Sequence, residues 1–148
     1  MLRFLNKINF YNKKLFNLNN KKLFRNYSKS SEEGLLVLED GSIYKGNMFG
    51  AKKSMNGEVV FSTNMVGYPE SMTDPSFHGQ IINLTYPLIG NYGIPSVKID
   101  NDGLNKFFES NRIWCNGLLV QDYSHEYNHW NATKSLSDWM KEYDIPGL

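Results

Sequence analysis

LLVLEDGSIYKG, residues 35–46, consists of two short apolar-rich runs on either side of Asp40-Gly41. Glycine accepts a positive φ at little steric cost, so an Asp-Gly pair between such runs predicts a β-hairpin. Outward from that hairpin the strand pattern continues. GEVVFSTN (57–64) is rich in β-branched and aromatic residues and reads as a strand. QIINLTYPLIG (80–90) reads as another, stopped by Pro87, which cannot donate to a ladder. IWCNGLLVQDY (113–123) is the longest apolar run and is expected to form a central strand. Helices are fewer. Leu104, Phe107 and Phe108 fit one face of a short helix capped by Asp102. Ser135-Leu136-Ser137-Asp138 has the spacing of a capping box, followed by Trp139, Met140 and Tyr143 and then Pro146 as a stop. Strands outnumber helices and do not alternate with them regularly. The fold class expected is α+β: a mixed, strand-rich β/β/α-type domain with few short helices and long loops, not a doubly wound sheet.

The 148 residues carry a formal net charge of +1 that conceals two opposed segments. Residues 1–31 hold Arg3, Lys7, Lys13, Lys14, Lys21, Lys22, Arg25 and Lys29 and no acid, whereas residues 32–148 hold eight bases against fifteen acids. Segments of +8 and −7 are not expected to form one folded unit. The first mixes Leu5, Ile8, Leu15, Leu18 and Phe24 with lysines at spacings that give a helix an apolar and a basic face. No apolar run there approaches the ~20 residues of a membrane span, and none forms a signal-peptide core. An acid-free, amphipathic segment running into serines reads as a mitochondrial transit peptide, removed near 27/28 after Arg25-Asn26-Tyr27, with the mature protein in the matrix. The alternative is a basic arm that grips nucleic acid through phosphates. The length after the leader suits one domain, residues 32–148.

The single cysteine, Cys115, excludes an internal disulfide framework and a multi-cysteine zinc site; in an apolar run it reads as a small buried hydrophobe. HEYNH (125–129) matches His-Glu-x-x-His, the pattern that places two histidines on one helix face for zinc. Polar neighbours and the absence of a third ligand other than His78 weigh against a zinc hydrolase built on His125, Glu126 and His129. No Gly-x-Ser-x-Gly elbow, Walker loop or dinucleotide glycine loop occurs. GYPESMTDPSFHGQ (67–80) has too few regularly spaced aliphatic residues for a helix or strand face, and is either a plain connection or a loop shaped for contact. Within it Asp74 and Pro75 suit the first two positions of a type I turn that presents Ser76. The residues alone leave open whether Ser76 does more than finish that turn.

LLVLEDGSIYKG, the block GEVVFSTNMVGYPESMTDPSFHGQIINLTYPLIGNYGIP, GLLVQDYS and YNHWNATKSLSDWM together resemble the N-terminal domain of the small, glutamine-using subunit of carbamoyl-phosphate synthase, from about Leu35 to Gly147. LVQDYS and YNHW are especially similar to the fused mitochondrial form. The resemblance implies an enzyme that makes carbamoyl phosphate from bicarbonate, ATP and ammonia for arginine, urea or pyrimidine pathways. It implies that the catalytic cysteine belongs to a class I glutaminase domain following this block, so that domain is expected to be absent here and Cys115 is not its counterpart. It places ATP and Mg in a large synthetase chain, leaving no cofactor, no metal site and no catalytic residue in this domain. The domain's role is then to support assembly with the synthetase and glutaminase parts, without nucleic acid or membrane partners and without turnover alone. The serine after Thr-Asp-Pro, here Ser76, is implied to reach the glutamine pocket of the glutaminase domain. A vestigial module that binds a separately encoded synthetase is the non-enzymatic alternative.

Overall fold

The computed structural model describes residues 7–12 and 32–148. Strands β1 (Lys7–Asn12), β2 (Glu33–Val37), β3 (Ile43–Asn47), β4 (Phe49–Gly50) and β5 (Asn56–Ser62) come first in the chain. Helix α1 (Tyr68–Thr73) and one 3-10 turn (Pro75–Phe77) lead into β6 (Gln80–Leu84) and β7 (Ile94–Pro95). The remainder is β8 (Gly117–Val120), β9 (Ala132–Lys134), α2 (Leu136–Glu142) and β10 (Pro146–Gly147). The main sheet has the order β3-β2-β1-β5-β6-β8-β10-β4, and β7 pairs with β9 separately. The β5-β6-β8-β10 segment is parallel and the rest antiparallel, so the domain is a strand-rich α+β fold.

The first hairpin forms as the Asp40-Gly41 pair predicts. β2 and β3 are antiparallel, Gly41 has φ 86°, and the Asp40 carboxylate accepts the Ser42 amide at 2.8 Å. That contact holds the Asp40 carboxyl below its ordinary range. β3 and β4 lie at opposite ends of the strand order yet only Met48 separates them in sequence, so the sheet curls until its ends meet. Leu148 seals this closure. Its amide donates to the Leu118 carbonyl, and its side chain lies over the paired Gly34 and Gly46, where a Cβ on Gly34 would come within 2.5 Å of it.

β6 runs through the middle and is buried on both faces, as its apolar run requires of a strand between parallel neighbours. Ile82 and Leu84 join Met72, Leu118, Leu136, Trp139 and Met140 in the larger core beneath the two helices. Ile81 and Leu119 face the opposite way, with Leu36, Val59 and Leu148.

Four expectations are corrected. The run 113–123 contributes only Gly117–Val120 as strand; before it, the Trp114 amide donates to the Met72 carbonyl and the Asn116 amide to Gln80, so Ile113 to Asn116 follow the α1 loop. The helix expected from Asp102 does not form. The Asp100 carboxylate instead accepts the Asp102 and Leu104 amides, at 3.0 and 2.9 Å, and folds residues 98–106 into a small hairpin with Ile99 bridged to Asn105. β6 ends at Leu84, ahead of Pro87, because Thr85 turns to donate both its amide and its hydroxyl to the Ser62 carbonyl. Within the basic leader, residues 7–12 form a strand and not a helix: Ile8 and Phe10 alternate with polar residues at the period of two that suits a pleated ribbon. The remainder of the leader and its cleavage point lie outside the described residues.

Candidate functional site

The segment 67–80 contains a short helix that its aliphatic spacing does not predict, and this helix sets the position of Ser76. Gly67 precedes α1 with φ 89°, and Pro69 occupies the first turn, where a missing amide costs nothing. Two of the helix's orphan donors, the Gly67 and Tyr68 amides, converge on the Tyr92 hydroxyl at 2.8 and 3.1 Å. The Tyr68 and Tyr92 rings stack at 4.2 Å, and the Tyr68 hydroxyl donates to the Gly93 carbonyl at 2.8 Å. Burial pushes the Tyr92 hydroxyl up to about 12 and raises that of Tyr68 further, so both remain protonated donors.

The C-terminal end of α1 is tied down as thoroughly. The Thr73 hydroxyl donates to the Pro69 carbonyl at 2.7 Å and accepts the Glu109 amide at 3.0 Å; the Ser110 hydroxyl donates to the Thr73 carbonyl at 2.7 Å. Asp74 then starts the 3-10 turn. Its carboxylate accepts the Ser76 amide at 2.8 Å and its carbonyl accepts the Phe77 amide at 3.1 Å, the expected turn with Pro75 in second place. The His78 amide extends it by donating to the Pro75 carbonyl. Ser76 stands exposed at the tip, just ahead of the amino end of β6. Beside the tip, His78 meets the edge of Trp114 at 5.4 Å and the Arg112 guanidinium covers the Trp114 ring at 3.4 Å. Arg112 and Trp114 were not singled out by sequence reasoning; their sequence spacing carries no signal until the loop 113–116 is seen to run beside the turn.

Two surface hollows of about 490 and 350 Å³ flank α1, and Ser76 lines neither. A hydroxyl offers one donor and two acceptor lone pairs. On an exposed tip it can hydrogen-bond a polar group brought against the turn.

HEYNH does not make a helix: residues 125–129 run through bends, with His125 against Tyr123 and the His129 Nδ1 accepting the Asn131 amide at 3.3 Å. A zinc pair on one helix face is therefore not built, and among the described residues no three His, Cys, Asp or Glu side chains gather as a metal site. Cys115 is 1% exposed, and burial pushes its thiol up to about 12, the opposite of an activated nucleophile.

The fold and site thus define a strand-rich domain that presents a shaped polar loop. Residues 36–148 match the family model of the carbamoyl-phosphate synthase small chain, CPSase domain. The chain is 50% identical over 117 residues to the carbamoyl phosphate synthase arginine-specific small chain of Chaetomium globosum, an overlap of 79% of this chain and 25% of that protein. It is 53% identical over 122 residues to the mitochondrial carbamoyl-phosphate synthase [ammonia] of Aquarana catesbeiana, covering 82% of this chain and 8% of that one. The arginine-specific small chain of Phaeosphaeria nodorum is 48% identical over 119 residues, 80% of this chain and 25% of its own length. The chain belongs to the carbamoyl-phosphate synthase small-chain family, and spans about a quarter of the length of its small-chain relatives.

Proposed function

We propose that this domain is the non-catalytic platform of a carbamoyl-phosphate synthase small chain, which holds Ser76 against a glutamine pocket walled by a class I glutaminase domain. The observation that carries the reading is an exposed Ser76 on a turn fixed by the Asp74 carboxylate, which accepts the Ser76 amide, and by the preceding Thr73 hydroxyl, which is engaged with Pro69 and Glu109. ATP and Mg then belong to a large synthetase chain that the domain helps to seat. A surface for such assembly is offered at the other end of the parallel strands. Phe61, Met65, Val66 and Leu88 are 74, 62, 70 and 52% exposed and lie at or just beyond the carboxyl ends of β5 and β6, whereas Ser76 precedes the amino end of β6. Large exposed apolar side chains grouped in this way mark protein contacts.

The basic first segment is proposed to address the protein to the mitochondrial matrix, with a cut after Tyr27, a reading supported by the mitochondrial relative. The arginine-specific relatives favour arginine supply as the pathway. The test of the site is Ser76→Ala in the assembled glutamine-dependent enzyme. Loss of one hydrogen bond of about 0.5–1.5 kcal/mol raises the glutamine KM roughly 2- to 10-fold, with ammonia-driven synthesis unchanged. An unaltered glutamine KM returns Ser76 to a purely structural role.

A further inference from the structure

β2 and β5 do not pair with each other. β2 has β3 on one side and β5 has β6 on one side; the facing edge of each is occupied by β1. Neighbouring strands stand about 4.7–4.9 Å apart, so β2 and β5 are separated across β1 by roughly 9.5 Å, room for one strand and no more. β1 is antiparallel to both. Asn9 to Asn12 pair with Val37 to Gly34, and Lys7 to Asn9 with Glu58 to Asn56.

The register shows what such a slot selects. Phe10 stands opposite Leu36 and Ile8 opposite Gly57, two residues from Val59. Leu36 and Val59 pack with Ile81 and Leu119 in the second core cluster. The apolar residues of KINFYN therefore take the register positions that continue this cluster's face, with Asn9 and Tyr11 at the alternate positions. Without an occupant, the slot would leave two facing edges that run in the same direction, each with unpaired amides and carbonyls, the arrangement that recruits an added strand antiparallel to both.

We infer that the space between β2 and β5 is a strand-binding site, filled in cis by Lys7–Asn12, whose ligand class is an extended peptide with apolar residues at alternate positions matched to Leu36 and Gly57. The site is independent of the glutamine reading. It also gives the leader a second role: the Tyr27-Ser28 position falls between β1 and β2, so cutting there turns a tethered strand into a separate peptide ligand.

Two measurements test this. In the intact chain, amide exchange at Asn9, the residue registered with both Val37 and Asn56, is expected to be at least ~100-fold slower than in an unstructured peptide, as for a strand held between two neighbours. In a full chain carrying a specific protease site within residues 13–31, cut and freed of its leader, a fluorescent peptide LNKINFYNKK (residues 5–14) is expected to bind saturably. The same peptide with Ile8→Asn and Phe10→Asn should bind at least ~10-fold more weakly. An unprotected Asn9 amide in the intact chain overturns the inference, as do equal affinities of the two peptides or no binding of the native one. Each of these leaves the Ser76 reading untouched.

Discussion

The Ser76 amide is held by the Asp74 carboxylate two residues earlier, at 2.8 Å, so the residue proposed to meet the substrate is positioned by a carboxylate that meets only the backbone. Asp74→Ala is expected to cost about 1 kcal/mol of stability, the usual loss for such a cap, and to raise the glutamine KM of the assembled enzyme while leaving kcat nearly unchanged. Asp74→Asn keeps an accepting oxygen and should restore most of both. Denaturant melts alongside glutamine kinetics check this.

Gly50 and Gly41 both have positive φ, at 69° and 86°, but only one is crowded. A Cβ on Gly50 would come within 2.6 Å of the Ile145 carbonyl, whereas at Gly41 nothing lies within 4 Å. Gly41→Ala is therefore expected to cost about 1 kcal/mol from backbone conformation alone. Gly50→Ala adds a backbone clash and is expected to cost about 2–4 kcal/mol. Thermal unfolding of the two variants gives the comparison.

Ser135 caps α2 by accepting the Asp138 amide at 3.0 Å and donates its hydroxyl to the Asp138 carboxylate at 2.8 Å. Ser135→Ala should lower stability by about 1 kcal/mol. Asp138 is held below its usual range first by Lys141 and then by Ser135, so the variant should also shift the Asp138 titration upward, a change read by carbon-detected NMR.

Glu70, in the first turn of α1, is pushed above its ordinary value, first by burial and then by the charge of Glu109. A carboxyl raised in the folded state binds a proton more tightly there than in the unfolded chain. Its contribution to stability is thus most favourable below the unfolded pKa and falls as pH rises through the folded one. Glu70→Gln is expected to raise the melting temperature at pH 7 and to gain less or nothing at pH 4; an equal effect at both pH values counts against burial as the cause.

The Cys115 thiol, 1% exposed and raised to about 12, should react with a disulfide reagent only when the domain opens. Its labelling rate should track global unfolding across denaturant concentrations; labelling that is fast and independent of denaturant would show a local opening of residues 113–116, ahead of β8.

The features legible in the sequence are those whose stabilising partners are close in the chain. Asp40-Gly41 specified its hairpin and Ser135 its helix start because turn and cap bonds span only a few residues. The Asp74-Pro75-Ser76 turn was legible for the same reason. Helix α1 was not, since its first amides are satisfied by Tyr92, more than twenty residues away. The expected helix from Asp102 failed because Asp100, two residues earlier, bound the local amides first. β4 and β10 span two residues each and exist only because the sheet curls round to join them, which no window of sequence displays. Ser76 was reached through family resemblance; its surroundings, with Arg112 and Trp114 beside the tip, needed the fold.

The placement of Leu148 over Gly34 and Gly46 also bears on how the protein is made. β4 finds its partner in Pro146–Gly147, and Leu148 covers the paired Gly34 and Gly46 of the first hairpin. A ribosome that has just released the first hairpin cannot complete the fold. The sheet must wait until residues 146–148 emerge, so its early strands keep open edges while the intervening residues are made, within reach of chaperones that hold unfolded chains.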